Sequence, residues 1–588
     1  MAIDAQLGSI ITADIGTTVT HAALIEPVEG IYRLVARAEV PTTLAGRDVD
    51  VTVGLGRAVG EIGDIVQRRL WAAGAPIIPE GASGEGFDAL LATCSAAPPL
   101  TAVIVGLTDD LSVESARRAC AASLVRLEKT ISLGARFRNW EEETLAELYR
   151  RPPEVLILVG GADAAATAPL ESAAGVLTTL YERMPKAARP VVVFAGNLEA
   201  RRPLAALISP VMEYRVVDNV RPNVHAESVS ELERELSLLY EQVALPKVPG
   251  WERLSGWTAA PVRATLDALG ATLRFVARRG EGGQGALAVD VGGMTTHVAA
   301  ARDRGYQRAT CADTGTSYGL EGVLSRAGVE GLARWLPRRL AGGEIAARLR
   351  NAMVRPHSVA ESRDDLLLLH AALRESLSSA MGLLRERHWG RLDGILTTPP
   401  FDLIAARGGV IAHTPHLSLV ALSLLDSIQP VGLSRLVVDW AAVWPVLSVL
   451  AEVEPLAAVQ VLERDAFRDL GTVIAPRGED APGALALRVV LRRDSGELTE
   501  LEVTAGSIVR LPLAFGEEAT LEVRPTRSFD IGLGRWGVGG RARVRGGGLG
   551  IIIDARGRPL ALPTEERELR RSMVAWLRSL EGDADRTA

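Results

Sequence analysis

A strand, a tight turn and a strand, used twice, constrain this chain more than any other feature. Ile10 to Thr20 read IITADIGTTVT, and Leu287 to Val298 read LAVDVGGMTTHV. In each copy an apolar run ends on an aspartate, a glycine follows two residues later, a Thr-Thr pair closes the turn and β-type alternation resumes. Gly16 in the first copy and Gly292-Gly293 in the second let the backbone turn with its N–H groups exposed, which makes an anion-binding concavity. Thr17, Thr18, Thr295 and Thr296 add hydroxyl donors for phosphate oxygens. Asp14 and Asp290, at the strand ends, are acceptor-only groups suited to a hydrated Mg²⁺, an ion that keeps several waters and takes few protein carboxylates. One D-x-G-T-T string alone is an ordinary turn. Two copies about half a chain apart, each running into a strand, read as phosphate-holding hairpins that face each other.

The 588 residues exceed what one hydrophobic core holds, so two or three domains are expected. A net charge of −7 with both signs mixed throughout argues against a nucleic-acid surface. Cys94, Cys120 and Cys311 lie far apart, without metal-ligand spacing, which fits a reducing cytoplasm. No basic segment precedes an apolar one at the N-terminus, so no signal peptide is expected. The most apolar long stretch, Val437 to Leu462, carries Asp439, Glu452 and Glu454 and is too charged for a membrane span.

After the first hairpin, His21 to Ile25 and Tyr32 to Val40 alternate as strands, and Asp50 to Trp71 carries a helical pattern. A buried strand is predicted to end at Pro98-Pro99, with Thr101 to Gly106 as the next strand. Ser112 and Asn139 read as helix caps. Pro153 to Asp163 reads as a parallel-type strand ending in a Gly160-Gly161 loop, and Pro190 to Gly196 as another. Loops at such strand ends are where α/β folds bind ligands. Asp313 to Thr316 is a further Gly/Thr loop able to line a cleft. Leu417 to Ile428 reads as a helix. From about Glu463 strands and turns alternate, as in a small sandwich or barrel. Gly532 to Gly537 is formally G-x-G-x-x-G, but strand-like residues follow it, so a dinucleotide site is rejected. Thr564 to Leu580 is the last predicted helix.

The two hairpins resemble the phosphate-1 and phosphate-2 motifs of the actin, sugar kinase and heat-shock chaperone ATPase superfamily. Ala406 to His413, with Gly408-Gly409, stands where its adenosine motif is expected. Narrower strings, Thr93 to Ala97, Gly106-Leu107-Thr108 with Glu114 to Ala119, Leu158 to Asp163, and Ala195-Gly196-Asn197, resemble the glutamate mutase L family over about residues 8 to 450.

That resemblance implies a duplicated, ribonuclease H-like α/β ATPase core. Its first lobe spans 1–280 with an inserted α/β segment and its second spans 281–455. A β-rich domain over 456–563 and a terminal helix and tail over 564–588 follow. ATP and Mg²⁺ are the implied cofactors. Gly16, Thr17, Thr18, Gly292, Gly293, Thr295, Thr296, Gly408 and Gly409 would bind the nucleotide, Asp14 and Asp290 the metal, and Asp163 would orient the attacking water or simply cap its turn. The implied function is ATP-driven assistance to an adenosylcobalamin-dependent mutase. No Asp-x-His-x-x-Gly string occurs in the chain, so the cobalamin would belong to the partner. Departures from the family pattern, among them Ala162, Ala164, Ala165 and His297, favour a rival reading as a nucleotide-switched scaffold with little turnover. A small-molecule kinase or hydantoinase-like enzyme of the same fold is the other rival.

Overall fold

The computed structural model describes residues 7–45, 49–107, 109–133, 142–163, 165–280, 282–303, 305–392 and 395–581. The chain divides into two compact units, Met1–Ala96 with Pro249–Ala588, and Ala97–Val248. The position of Asn139 lies outside the described residues.

The first unit opens on β1 (Ile10–Ile15), β2 (Val19–Val28) and β3 (Ile31–Pro41), then helix α1 (Val51–Val66) and β4 (Ala89–Cys94). Asp50 caps α1, its carboxylate accepting the N–H of Thr52 at 2.8 Å. Every residue of β1 and of β4 is buried. That explains why both are mostly apolar, with Thr12, Asp14 and Thr93 the buried exceptions, since both faces of the sheet are covered.

The second unit holds β5 (Leu100–Gly106), β6 (Val125–Ser132), β7 (Val155–Val159), β8 (Val191–Phe194) and β9 (Tyr214–Val216). They form one parallel sheet in the order β9-β8-β7-β5-β6, the doubly wound order in which the second strand flanks the first. Its core includes Val103, Leu156, Leu158, Leu177 and Phe194. Ser112 does not cap the helix Glu114–Ala121, because the preceding residues, Asp109–Val113, already wind as a wider helical turn.

The first unit resumes with β10 (Arg263–Ala264) and helix α2 (Thr265–Arg279), completing a sheet in the order β10-β4-β1-β2-β3. It then repeats itself. β11 (Ala286–Val291), β12 (Thr296–Arg302), β13 (Gly305–Cys311), β14 (Leu403–Arg407) and β15 (Gly432–Val438) take the same relative order, with the first three strands antiparallel and the fourth and fifth parallel to the first. Helices α3 (Arg363–Leu384), α4 (Gly409–His413), α5 (Leu417–Ile428) and α6 (Trp444–Val453) accompany this sheet. Two such sheets, each a three-strand meander continued by parallel strands, are the duplicated core of the actin-like ATPase fold. One core, with Ile10 and Leu91 from the first repeat, Ala288 and Ala299 from the second, and Trp444, joins both.

The C-terminal strands do not stand apart as the 456–563 boundary would have them. β16 (Arg468–Ala475) pairs with β15, β22 (Ile551–Asp554) pairs with β16, and β19 (Ile508–Leu511) closes the same eight-stranded sheet. Among the described residues, β17 (Leu485–Arg493), β18 (Leu498–Thr504), β20 (Glu518–Pro525) and β21 (Gly540–Arg545) form a separate four-stranded sheet, and Arg477–Gly478 pairs with Phe529–Asp530 as a two-stranded one. The four-stranded sheet packs on the extension through Leu487, Val489 and Leu521 against Ile474, Ile551 and Ile553. Helix α7 (Glu566–Leu580) buries Met573 and Trp576 in the core of the second repeat. No helix among the described residues is long and apolar enough to cross a membrane.

Candidate functional site

The two hairpin turns are built alike. Gly16 donates its N–H to the carbonyl of Val19 at 3.0 Å, and Gly292 donates to that of Thr295 at 2.9 Å. Strand register repeats as well: Asp14 lies opposite His21 and Asp290 opposite His297. This frame corrects the sequence alignment of the two copies. Thr295-Thr296 corresponds to Val19-Thr20, and the counterpart of Thr17-Thr18 is Gly293-Met294. The tips touch, since a Cβ on Gly293 would come within 2.6 Å of the Thr18 methyl. The loop after β13 is fastened beneath the second tip, with Thr316 N–H on Gly292 O and Ser317 N–H on Gly293 O, both 2.9 Å.

A cavity of about 870 Å³ opens where the tips meet, within the usual range of ligand pockets, roughly 300–1,000 Å³. Asp14, Gly16, Thr17, Thr18, Asp290, Gly292, Gly293, Thr295, Gly408 and Gly409 line it, as do Thr316 and Ser317 of the third loop. Thr296 does not. It begins a buried strand and donates its hydroxyl to Thr314 O at 2.9 Å. Gly408 has φ +128°, and a Cβ there would lie 2.1 Å from Val291 O, so the chain passes hard against the second hairpin before entering α4.

The centre of the site is an arginine that sequence reasoning missed. Arg407, the last residue of β14, is buried. Its Nη2 donates to Asp14 Oδ2 at 2.6 Å, its Nη1 to Asp290 Oδ2 at 3.3 Å, and its Nε lies 3.7 Å from Asp439 Oδ2. Asp14 also accepts the hydroxyls of Thr93 at 2.8 Å and Thr265 at 2.7 Å on Oδ1. Burial is the largest single effect and pushes the Asp14 carboxyl up, but the charge and hydrogen bond of Arg407, with His21 and the Thr265 hydroxyl, together leave the group below its ordinary value. For Asp290 burial wins and the carboxyl sits above it. Asp439, held by the N–H groups of Val443 and Trp444, is pushed up to about 6 by burial against the pull of Arg407.

The expected sharing of a metal ion by Asp14 and Asp290 does not fit this arrangement. Both oxygens of Asp14 are engaged by donors, and a guanidinium stands where a divalent ion would bridge the pair.

Other predicted residues fall elsewhere. Asp163 belongs to the second unit, where Oδ1 accepts the Leu198 N–H at 3.1 Å and the Asn219 amide at 3.0 Å. Leu198 follows β8 and Asn219 follows β9, so the carboxylate ties together the loops at three neighbouring strand ends. His297 is buried against the Thr310 hydroxyl at 2.8 Å, and burial pulls it down to about 3, so it is a neutral packing residue outside the cavity lining. His21, read as a hydrogen-bonded or surface residue, lies 3.5 Å from Glu39, which also pairs with His413 of α4 at 2.9 Å across the cavity rim.

A duplicated sheet with glycine turns meeting over one cavity defines an actin-like ATPase-fold protein. The model of the MutL protein family matches residues 10–466, and the chain belongs to that family. Protein MutL of Clostridium tetanomorphum is 21% identical over 491 residues, covering 77% of this chain and 97% of its own. Among solved structures, a nucleotide-free acetone carboxylase is 13% identical with TM-score 0.35, covering 87% of this chain and 81% of that one. A diol dehydratase-reactivating factor, also nucleotide-free, is 11% identical with TM-score 0.29, covering 78% and 99%.

Proposed function

We propose that this chain binds ATP, presented as its Mg²⁺ complex, between the two hairpins, and that it serves as an ATP-dependent accessory protein reactivating an adenosylcobalamin-dependent mutase. The observation that carries the nucleotide reading is the pair of identically closed glycine turns meeting at Gly293 and Thr18 over one cavity. Backbone N–H groups and the hydroxyls of Thr17, Thr18 and Thr295 would hold phosphates, and the Gly408-Gly409 entry to α4 would face the adenosine. Membership of the MutL family supports the accessory role. The mutase partner rests on the resemblance of the sequence to glutamate mutase L.

The test mixes purified chain, ATP and the source organism's cobalamin-dependent mutase after its inactivation, and follows phosphate release beside recovered mutase activity. Stimulated release with recovery is expected. Nucleotide-dependent association without stimulated release would replace this reading with the scaffold.

A further inference from the structure

We propose that Arg407 is the resident cation of this cleft: its guanidinium, and not a divalent ion, joins the aspartates of the two hairpins, so the nucleotide-free protein has no Mg²⁺ site at Asp14 and Asp290. The inference is independent of the ATP reading, because its test contains no nucleotide.

The argument starts from the duplication. On the fourth strand of the first repeat, Thr93 lies in register with Asp14; on the fourth strand of the second, Arg407 lies in register with Asp290. The same position therefore carries a short hydroxyl in one repeat and a long cation in the other. Thr93 reaches only its own aspartate. Arg407 reaches Asp290 in its own repeat and Asp14 in the other, ending close to both. It is a clasp between the two sheets.

Coordination chemistry then excludes the ion. Mg²⁺ demands near-octahedral oxygen at about 2.0–2.1 Å and dehydrates reluctantly. Asp14 is 4% exposed and already accepts two hydroxyls and one guanidinium. A metal could bind it directly only by expelling a buried guanidinium from three carboxylates, those of Asp14, Asp290 and Asp439, and a cation held beside that guanidinium would be repelled by it. The planar fork of arginine also fixes the spacing between the aspartates, which a hydrated ion would not. Because Arg407 directly precedes Gly408, the clasp sets the adenosine-facing turn in the same stroke. Any Mg²⁺ entering the cleft would be carried on the oxygens of its own ligand.

The proposal predicts that removing the guanidinium unmasks a metal site. Mn²⁺, a paramagnetic stand-in for Mg²⁺, is titrated into full-length nucleotide-free protein and the free ion is followed by electron paramagnetic resonance. Wild type is expected to leave the free-ion signal equal to buffer at equimolar Mn²⁺. Arg407→Met, of similar length and uncharged, is expected to take up one Mn²⁺ at least tenfold more tightly than wild type, and Arg407→Met with Asp290→Asn to lose it again. Arg407→Lys keeps the cation and should bind none. Stoichiometric Mn²⁺ uptake by wild type, abolished by Asp14→Asn or Asp290→Asn, overturns the proposal, and this arm needs no Arg407 variant to fold. A folded Arg407→Met, by circular dichroism, that takes up no Mn²⁺ overturns it as well.

Discussion

Asp426→Asn tests whether the C-terminal strands are part of the second lobe. Asp426 of α5 is 2% exposed. Its Oδ2 accepts Arg374 Nε and its Oδ1 accepts Arg556 Nη1, each at 2.7 Å. Arg556 continues to Asp554 of β22 through Nε at 2.8 Å and Nη2 at 2.9 Å, and Arg558 donates to the same carboxylate at 2.6 Å. Trp576 of α7 lies over the Arg556 guanidinium at 4.8 Å. Thus α3, α5, β22 and α7 meet in one buried network. An asparagine keeps the shape but sets an amide N–H₂ against a guanidinium and removes one buried negative charge. Arg374, already drawn down by burial, loses the carboxylate that opposed that effect. Arg556 keeps Asp554, so the loss is less than complete exposure of two cations.

Breaking a buried pair by removing one partner costs about 3–5 kcal/mol. Urea unfolding, read by near-ultraviolet circular dichroism, should show the unfolding free energy of the first unit falling by that amount, as a lower midpoint at unchanged slope. Urea is chosen because guanidinium chloride is a salt and would screen the exposed ion pairs, the control pair among them. Glu502→Gln, which breaks the exposed Arg488 pair on the outer sheet, serves as the control and should leave the midpoint in place. A loss under about 1 kcal/mol for Asp426→Asn, the net worth of an ordinary hydrogen bond, would refute the account of a fused lobe.

Three further outcomes are expected. Gly293→Ala should drive a Cβ into Thr18 and weaken nucleotide binding at least tenfold, and Thr18→Ala on that background should restore part of it, as measured by calorimetric titration. Gly408→Ala should abolish binding without rescue, because it meets the Val291 carbonyl at a positive φ that only glycine takes readily. The Glu39 to His413 contact should make stability pH-dependent. His413 is raised by its hydrogen bond to Glu39, so its share is present below its ordinary value, about 6.5, and is lost as pH rises through the raised one. Glu39 is pushed up by burial but held lower by His21 and His413, so its share is lost as pH falls below about 4.3. The melting temperature of wild type should exceed that of Glu39→Gln most between those limits; a constant difference from pH 5 to pH 9 would refute the assignment.

The hairpins were legible because a glycine turn between two alternating runs is a local signal, and its repetition left little room for chance. The helix Leu417–Ile428 was legible to the residue because its apolar run, too, is a local signal. Long-range pairing was not. That Thr472 lies beside Ile551 depends on which edge the C-terminal strands find, and no local pattern states that. The Thr-Thr pairs misled because identity was matched where register decides. Arg407 lay inside the string Ala406 to His413, which was read for its two glycines and not for its cation. Its signal lay in comparing the two repeats, where Thr93 and Arg407 occupy the same register beside the two motif aspartates.

Calorimetric titration of ATP as its Mg²⁺ complex into the purified full-length chain, with Gly293→Ala in parallel, tests the central claim most directly. One ATP per chain for wild type, with at least a tenfold weaker constant for the variant, is the expected result; equal affinity in both, or no heat of binding in wild type, would contradict a nucleotide held between the two hairpins.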